Sequence, residues 1–417
     1  MRIGIECLRA DPDYVGGLNT YILGLLDGFA AAGSDHCFQL YATDRNRRLF
    51  ARYEALPNFE LVTFDGGSFR LSQRICRAAL LGTPEFYRRI SGRLFRSIRE
   101  IMEAGSDLIY TPTVSLLCFH YRKPTLLSMH DLQHLHYPEF FRWPQRRSRT
   151  ITYALSARSA GYFQASSEFI KRDMLAHFPG ISPARIAVIH EGVKLEDFSA
   201  SDARALAQYQ LPGRFLFLPA QLWPHKNHIT VLRALRRLEQ KHGLNIPLVM
   251  TGAKYSAAPA IFRFLTEQRM HHVRYLGKVP FPELVALYQR AAFVISPGLY
   301  ESSSLPVLEA AAAGTAVLAS KIPPHEELAR ALRLNLFAPL EVEELAELIF
   351  RLWLDEGTCR AQAAHNRSQI ARLSWENAAR QYLSWMERIG NPSLSAPALQ
   401  NAAAALAQQT RACTTLT

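Results

Sequence analysis

The sequence predicts an α/β protein made of two doubly wound parallel-sheet domains that face each other across a cleft. Three observations carry that prediction. The chain has 417 residues, too many for one ordinary core and suited to two domains of about 200 residues each. Strand-like and helical segments alternate along it, and the alternation runs through twice, as expected of parallel sheets covered on both faces. Residues 292–327, AFVISPGLYESSSLPVLEAAAAGTAVLASKIPPHEE, read as strand, loop, helix and strand, which is half of such a sheet.

Composition narrows the class. Hydrophobic residues make up 48% and charged residues 20%, the balance of a soluble globular protein. No apolar run reaches the roughly 18–20 residues that a membrane helix needs. The start, MRIGIECLRADPDYVGG, reads as a first strand and loop rather than a secretion signal. The six cysteines are scattered with no C-x-x-C pair. That spacing argues against a zinc site or a disulfide framework and suits a reducing cytoplasm. The net charge is +12, and much of the excess is local. Between Arg70 and Thr150, 14 Lys and Arg stand against 6 Asp and Glu. A basic face this dense suits a polyanionic partner: nucleic acid, anionic lipid or a diphosphate-linked acceptor. It is also what a solvated basic helix face would show. No recognised nucleic-acid motif accompanies it, so nucleic acid is not expected.

In the first half the strand-like runs are Ile3–Cys7, Phe38–Ala42, Leu61–Phe64, Leu108–Thr111, Leu126–Met129, Gly161–Ala165 and Ile186–Ile189. Helical patterns between them include Leu18–Ala32, Tyr87–Glu103 and Gln145–Ala160. A polar stretch, Glu196–Gln210, breaks the pattern, and Leu211-Pro212-Gly213 restarts it. A first domain is therefore expected over 1–200 and a second over 211–370. The second half gives strands at Phe215–Leu218, Leu248–Thr251, Val273–Leu276, Phe293–Ser296 and Val317–Ala319. Helix is expected from Glu341 to about Ile389, with Trp353, Trp375, Tyr382 and Trp385 as packing anchors. The tail 391–417 is rich in Ala, Ser and Gln and is expected to be flexible.

Ligands of doubly wound sheets bind at the carboxyl ends of the strands. Four segments place chemistry there. In the first, Ser302, Ser303 and Ser304 are small enough for backbone N–H groups to approach an anion where a helix opens at Leu305. Glu301 and Glu309 flank that point with seven residues between them. In the second, Gly16-Gly17 follows the first strand and permits close backbone approach to a phosphate, although a plain turn reads the same. In the third, LLSMHDL ends an apolar strand in His130-Asp131, where a His can reach a hydroxyl or a phosphate oxygen and a nearby carboxylate would fix its tautomer. In the fourth, FLFLPAQLWPHKNH runs a strand into a loop with Lys226 at the start of the next helix. A cation there can stabilise a departing phosphate. Asp11 and Asp13 spell D-x-D, but in a first loop, and no metal is expected at that pair.

The run E-S-S-S-L-P-V-L-E, with its Ala-rich helix and G-T-x-V, resembles the donor site of retaining glycosyltransferases of family 4, which have the GT-B fold. The family pattern is close to E-G-x-G-L-P-x-L-E, so serines stand here for two glycines. SMHDLQHLHYPEFF and P-A-Q-x-W-P-H-K-N are similar to a subgroup of that family. The resemblance implies transfer of a hexose, mannose first, from a nucleotide-diphosphate sugar to a saccharide hydroxyl, without metal or cofactor. It implies that Glu309 holds the ribose hydroxyls, that Glu301 and His130 hold the donor sugar, and that Lys226 meets the diphosphate. The backbone at Val279 would dock the base, and Gly16 and Gly17 would lie near the diphosphate. The usual Arg is replaced by Gln221, which supplies no charge, as it is in the P-A-Q-x-W-P-H-K-N subgroup. The helix 371–390 would cross back to the first domain. Lys171 and Arg172 resemble a cleft-facing segment, weakly. A lipid-linked acceptor on the cytoplasmic leaflet suits the basic segment Phe69–Glu100, placing the protein at the inner face of the cell membrane. The rival readings are a non-catalytic sugar-nucleotide-binding subunit and a related enzyme such as a sugar-nucleotide epimerase.

Overall fold

The structure is a computed structural model that describes residues 1–12, 17–199 and 203–391. Asp13, Gly16 and the tail 392–417 lie outside the described residues.

Two all-parallel sheets form the frame. The first holds β1 (Arg2–Glu6), β2 (Cys37–Thr43), β3 (Phe59–Phe64), β4 (Leu108–Thr111), β5 (Thr125–Met129), β6 (Tyr162–Ala165) and β7 (Ile186–Val188). Its strand order is β3-β2-β1-β4-β5-β6-β7. The second holds β8 (Leu216–Pro219), β9 (Leu248–Thr251), β10 (Val273–Tyr275), β11 (Phe293–Ser296), β12 (Val317–Ser320) and β13 (Asn335–Phe337), in the order β10-β9-β8-β11-β12-β13. Strands such as β5, TLLSM, and β11, FVIS, are buried throughout, as parallel strands covered on both faces must be. Each sheet carries an apolar cluster on either face. The chain order reverses between β1 and β4 and again between β8 and β11. Loops diverge at such switch points and leave a crevice for ligand.

Two local readings change. The helical pattern Tyr87–Glu103 is two helices, Pro84–Leu94 and Arg96–Gly105. The break is at Phe95, which leaves helical geometry to bury its ring beside Phe69. The edge strand β13 was not read from the sequence.

Helix Trp375–Gly390 lies against helix Gly17–Ala32 on the first sheet. Its Trp375, Tyr382, Trp385 and Met386 share one buried cluster with Tyr21, Ile22, Leu25 and Phe29. The hydroxyls of Tyr21, Tyr110, Ser128 and Tyr382 hydrogen-bond to one another within it, so these four buried hydroxyls are paired. The link between domains is apolar as well. Tyr300, in the loop after β11, is only 6% exposed and belongs to the core cluster of the first domain. Its hydroxyl accepts from Leu132 N at 3.0 Å. Tyr137 Oη donates back to Leu299 O at 3.2 Å.

Candidate active site

The loops after β8 and β11 are joined before any ligand arrives. Pro224–Lys226 form a single tight turn, closed by Asn227 in the left-handed region at φ 54°. Asn tolerates that conformation better than most residues. The Asn227 side chain donates to Pro297 O at 3.1 Å and to Pro339 O at 2.7 Å. Leu299 N donates to His225 O at 2.7 Å. This holds Lys226 in place, and its Nζ lies 2.8 and 2.9 Å from the two carboxylate oxygens of Glu301. Gly298 makes room for that carboxylate, since a Cβ there would sit 2.5 Å from Glu301 Oε1.

Helix Leu305–Ala313 opens directly behind. Ser304 is its N-cap, fully buried, and its side chain makes no capping bond. The orphan N–H groups of the first turn are thus not taken up by that side chain. Ala310, Ala311 and Ala312 are fully buried, and their small side chains seat the helix close to the sheet. Glu309 receives a 2.6 Å bond from Tyr288 Oη. Burial raises its carboxyl above the ordinary range, and the Tyr288 bond opposes the rise. Ser303 is buried, and Ser302 O accepts from Ser166 Oγ of the first domain at 3.1 Å.

The other sequence candidates fall around this centre. Gln221 accepts from Trp223 Nε1 at 3.1 Å, and Trp223 stacks on Tyr255 with ring centroids 3.8 Å apart. A cavity of about 470 Å³ lies beside the turn that carries Val279, lined by Gly252, Ala253, Lys254, Tyr275, Gly277 and Lys278. Gly17 is exposed and starts its helix. Lys171 and Arg172 sit on helix Glu168–His177, whose N-terminus is tied to the second domain by Glu327, accepting from Glu168 N at 2.7 Å.

His130 is oriented differently from expectation. Asp131 does not fix its tautomer, because Arg149 holds the Asp131 carboxylate at 2.8 Å. Instead His130 Nε2 bonds Pro112 O at 2.8 Å, and the Tyr21 ring stands edge-on at 4.4 Å. A carbonyl only accepts, so Nε2 carries the hydrogen and Nδ1 faces the cleft as a lone pair when the ring is neutral. Burial lowers its basicity, with the Pro112 bond and Asp131 opposing.

One residue was missed. Glu191, just beyond β7, is 8% exposed, with Oε1 4.0 Å from His130 Nδ1. Burial pushes its carboxyl up to about 7; Ser303 donates to it and Lys226 lowers it, while Glu301 and Glu309 raise it further. The signal was present in the sequence, since Glu191 closes a predicted strand at its carboxyl end. Among the described residues, no group of three or more His, Cys, Asp or Glu is placed to hold a metal ion.

Known proteins resemble this chain in sequence and fold. Residues 15–197 match the family model Glycosyltransferase Family 4, and residues 208–372 match Glycosyl transferases group 1. O-antigen chain mannosyltransferase B of Escherichia coli is 25% identical over 273 residues, 64% of this chain and 70% of that protein. The serotype-specific mannosyltransferase WbdA of Escherichia coli is 27% identical over 200 residues, 46% of this chain but only 24% of WbdA. The Anabaena protein HepE, solved with UDP and glucose, superposes with a TM-score of 0.69 at 18% identity, covering 93% of this chain and 99% of that one. With one family match on each sheet and the crevice between them, the chain is a glycosyltransferase of the GT-B fold.

Proposed function

We propose that the chain is a retaining hexosyltransferase that moves mannose from a nucleotide-diphosphate sugar to a saccharide hydroxyl, the acceptor being a lipid-linked precursor of a cell-surface polysaccharide. The observation that carries the reading is the Lys226–Glu301 pair, set against the N-terminus of helix Leu305–Ala313 at a switch point. In that geometry Lys226 is a cation on hand for the diphosphate, and Glu301 is freed for donor-sugar hydroxyls when Lys226 turns away. Glu309, fixed by Tyr288, accepts from ribose hydroxyls. Backbone N–H groups of 302–305 and the helix dipole stabilise the departing diphosphate. The diphosphate takes the acceptor proton on the face it leaves, which retains the anomeric configuration without a protein nucleophile. Both Escherichia coli relatives are mannosyltransferases by name, which supports mannose.

Thermal shift against GDP, UDP, TDP and ADP and their sugars tests the site, because a ligand that binds only the native state raises its stability. One nucleoside diphosphate is expected to stabilise the protein clearly. Glu309→Ala is expected to weaken that nucleotide about tenfold or more, two lost hydrogen bonds to a charged acceptor being worth at least ~1.4 kcal/mol. Equal affinity in the variant would remove Glu309 from the ribose site.

A lipid-linked acceptor is supported by the surface of helices Gly66–Ala79 and Pro84–Leu94. Leu81 is 69% exposed between them, with Leu71, Ile75 and Phe86 also exposed among Arg70, Arg74, Arg77, Arg88 and Arg89. Exposed Trp143 joins this face: Arg147 lies over its ring and donates to Leu80 O and Gly82 O at 2.8 and 2.7 Å. Basic and apolar side chains in that mixture suit anionic headgroups. No helix among the described residues is long and apolar enough to cross a membrane. Sedimentation with vesicles containing anionic phospholipid at low salt is expected to retain the protein. Charge reversal of Arg70, Arg74 and Arg77 together is expected to release most of it, and retention equal on neutral vesicles would refute the electrostatic part.

A further inference from the structure

Glu191 occupies the hinge. Val193 N donates to Leu373 O at 2.9 Å, and Val193 bridges Ser374, so the two strands of chain that cross between the domains run side by side. Gly192 permits this contact, since a Cβ there would lie 2.2 Å from Trp375 N. The hinge backbone therefore fixes where the Glu191 carboxyl points. It faces His130 from the first domain, and Ser303, Glu301, Glu309 and Lys226 from the second.

Charge counting at this point gives a clear conflict. Glu191 feels two other carboxyl groups, Glu301 and Glu309, and one ammonium, Lys226, and both of the close contacts of that ammonium go to Glu301. Gln221, on the loop that carries Lys226, is neutral and adds no charge. Bringing a diphosphate into this pocket with all three carboxyls ionised would set like charges against one another at low dielectric. A protonated carboxyl resolves the conflict, because it removes one negative charge and offers an O–H donor. Ser303 already occupies one acceptor position of Glu191. His130 Nδ1, at 4.0 Å, is too far away to take the proton in a hydrogen bond.

We propose that Glu191 takes up a proton when the nucleotide sugar binds and, as a neutral acid, donates a hydrogen bond to the diphosphate. The proton comes from solvent and returns to it when the diphosphate leaves; no covalent bond to Glu191 forms. The inference rests on the donor site proposed above. Since the Glu191 carboxyl of the free protein already stands near 7, an arriving anion raises it further. Donor affinity is then greatest at and below neutrality and falls as pH rises above it, which is the sign for a group that must gain a proton to bind.

The test is calorimetric titration of the protein at pH 7.5 with GDP-mannose and with UDP-glucose, in two buffers of different ionisation enthalpy. The phosphates of a sugar nucleotide are diesters and do not titrate near neutrality, so buffer-dependent heat reports protein protons. Wild type is expected to take up roughly half a proton or more per site. Glu191→Gln, which keeps the shape and a donor, is expected to bind with that uptake reduced to near zero and its affinity nearly independent of pH from 6.5 to 8.5. Ser303→Ala removes a donor that favours the ionised form, and is expected to move the pH of greatest uptake upward. Binding with no proton uptake in wild type overturns the inference and leaves the donor site standing. Uptake undiminished in Glu191→Gln assigns the proton to Glu309 or His130 and overturns it also. Failure of both sugar nucleotides here, with no shift from GDP, UDP, TDP or ADP or their sugars in the thermal test, overturns the donor site and the inference together.

Discussion

Lys226→Ala is expected to lower kcat by about 10²–10³ while changing KM by only a few-fold, the usual cost of removing one preorganised charge from a developing anion. The reasoning starts from the ligand-free geometry. Lys226 Nζ is held 2.8 and 2.9 Å from both oxygens of Glu301 in the free protein, so turning to the bound diphosphate gives up that pair and adds little net binding. Charge develops on the diphosphate only as the sugar leaves, and there the ammonium gains most. The loss should therefore appear in kcat rather than KM. Lys226→Arg keeps the charge on a longer, planar head and is expected to recover only part of the rate. Steady-state assay of nucleoside diphosphate release checks both. A kcat within threefold of wild type in the alanine variant would make Lys226–Glu301 a structural ion pair and no more.

Tyr300→Ala is expected to have the largest effect on the union of the domains. The side chain belongs to the second domain by sequence but lies in the core of the first, 6% exposed and edge-on to Phe169. Truncating a buried aromatic costs about 3–5 kcal/mol, here drawn from the contact between domains rather than from either fold. Differential scanning calorimetry is expected to show a lower first transition with the second domain's own transition preserved. Turnover is expected to fall at least about tenfold, because Glu301 is the next residue and loses its anchor. Tyr300→Phe keeps the ring and gives up the bond to Leu132 N, a change of about 1 kcal/mol. It separates packing from hydrogen bonding. An unaltered melting profile in Tyr300→Ala would show that the domains are held together elsewhere.

The strands were legible because parallel strands buried on both faces leave unbroken apolar runs, such as VLAS at β12 and LVMT at β9. β13 was not. Glu301 and Glu309 could be singled out because a strand end, a helix start and a fixed spacing occur within one stretch of chain. Glu191 could have been found by the same strand-end rule, but nothing adjacent to it in sequence revealed its neighbours. The tautomer of His130 depends on the carbonyl of Pro112, eighteen residues earlier, and the adjacent Asp131 pointed the wrong way.

The sequence alone determined the elements and the chemistry available at their ends: two runs of alternating strand and helix, a helix start lined with serines, two glutamates and a lysine. These follow from local propensity, periodicity and spacing, which a chain carries along its length. The tertiary structure decided which of those groups meet. It paired Lys226 with Glu301 across 75 residues, drove Tyr300 into the opposite domain, and set Glu191 at the hinge among three charges and a histidine. Pairings of that kind depend on how two folded sheets are placed against each other, and that placement is fixed by burial and shape at the interface between them.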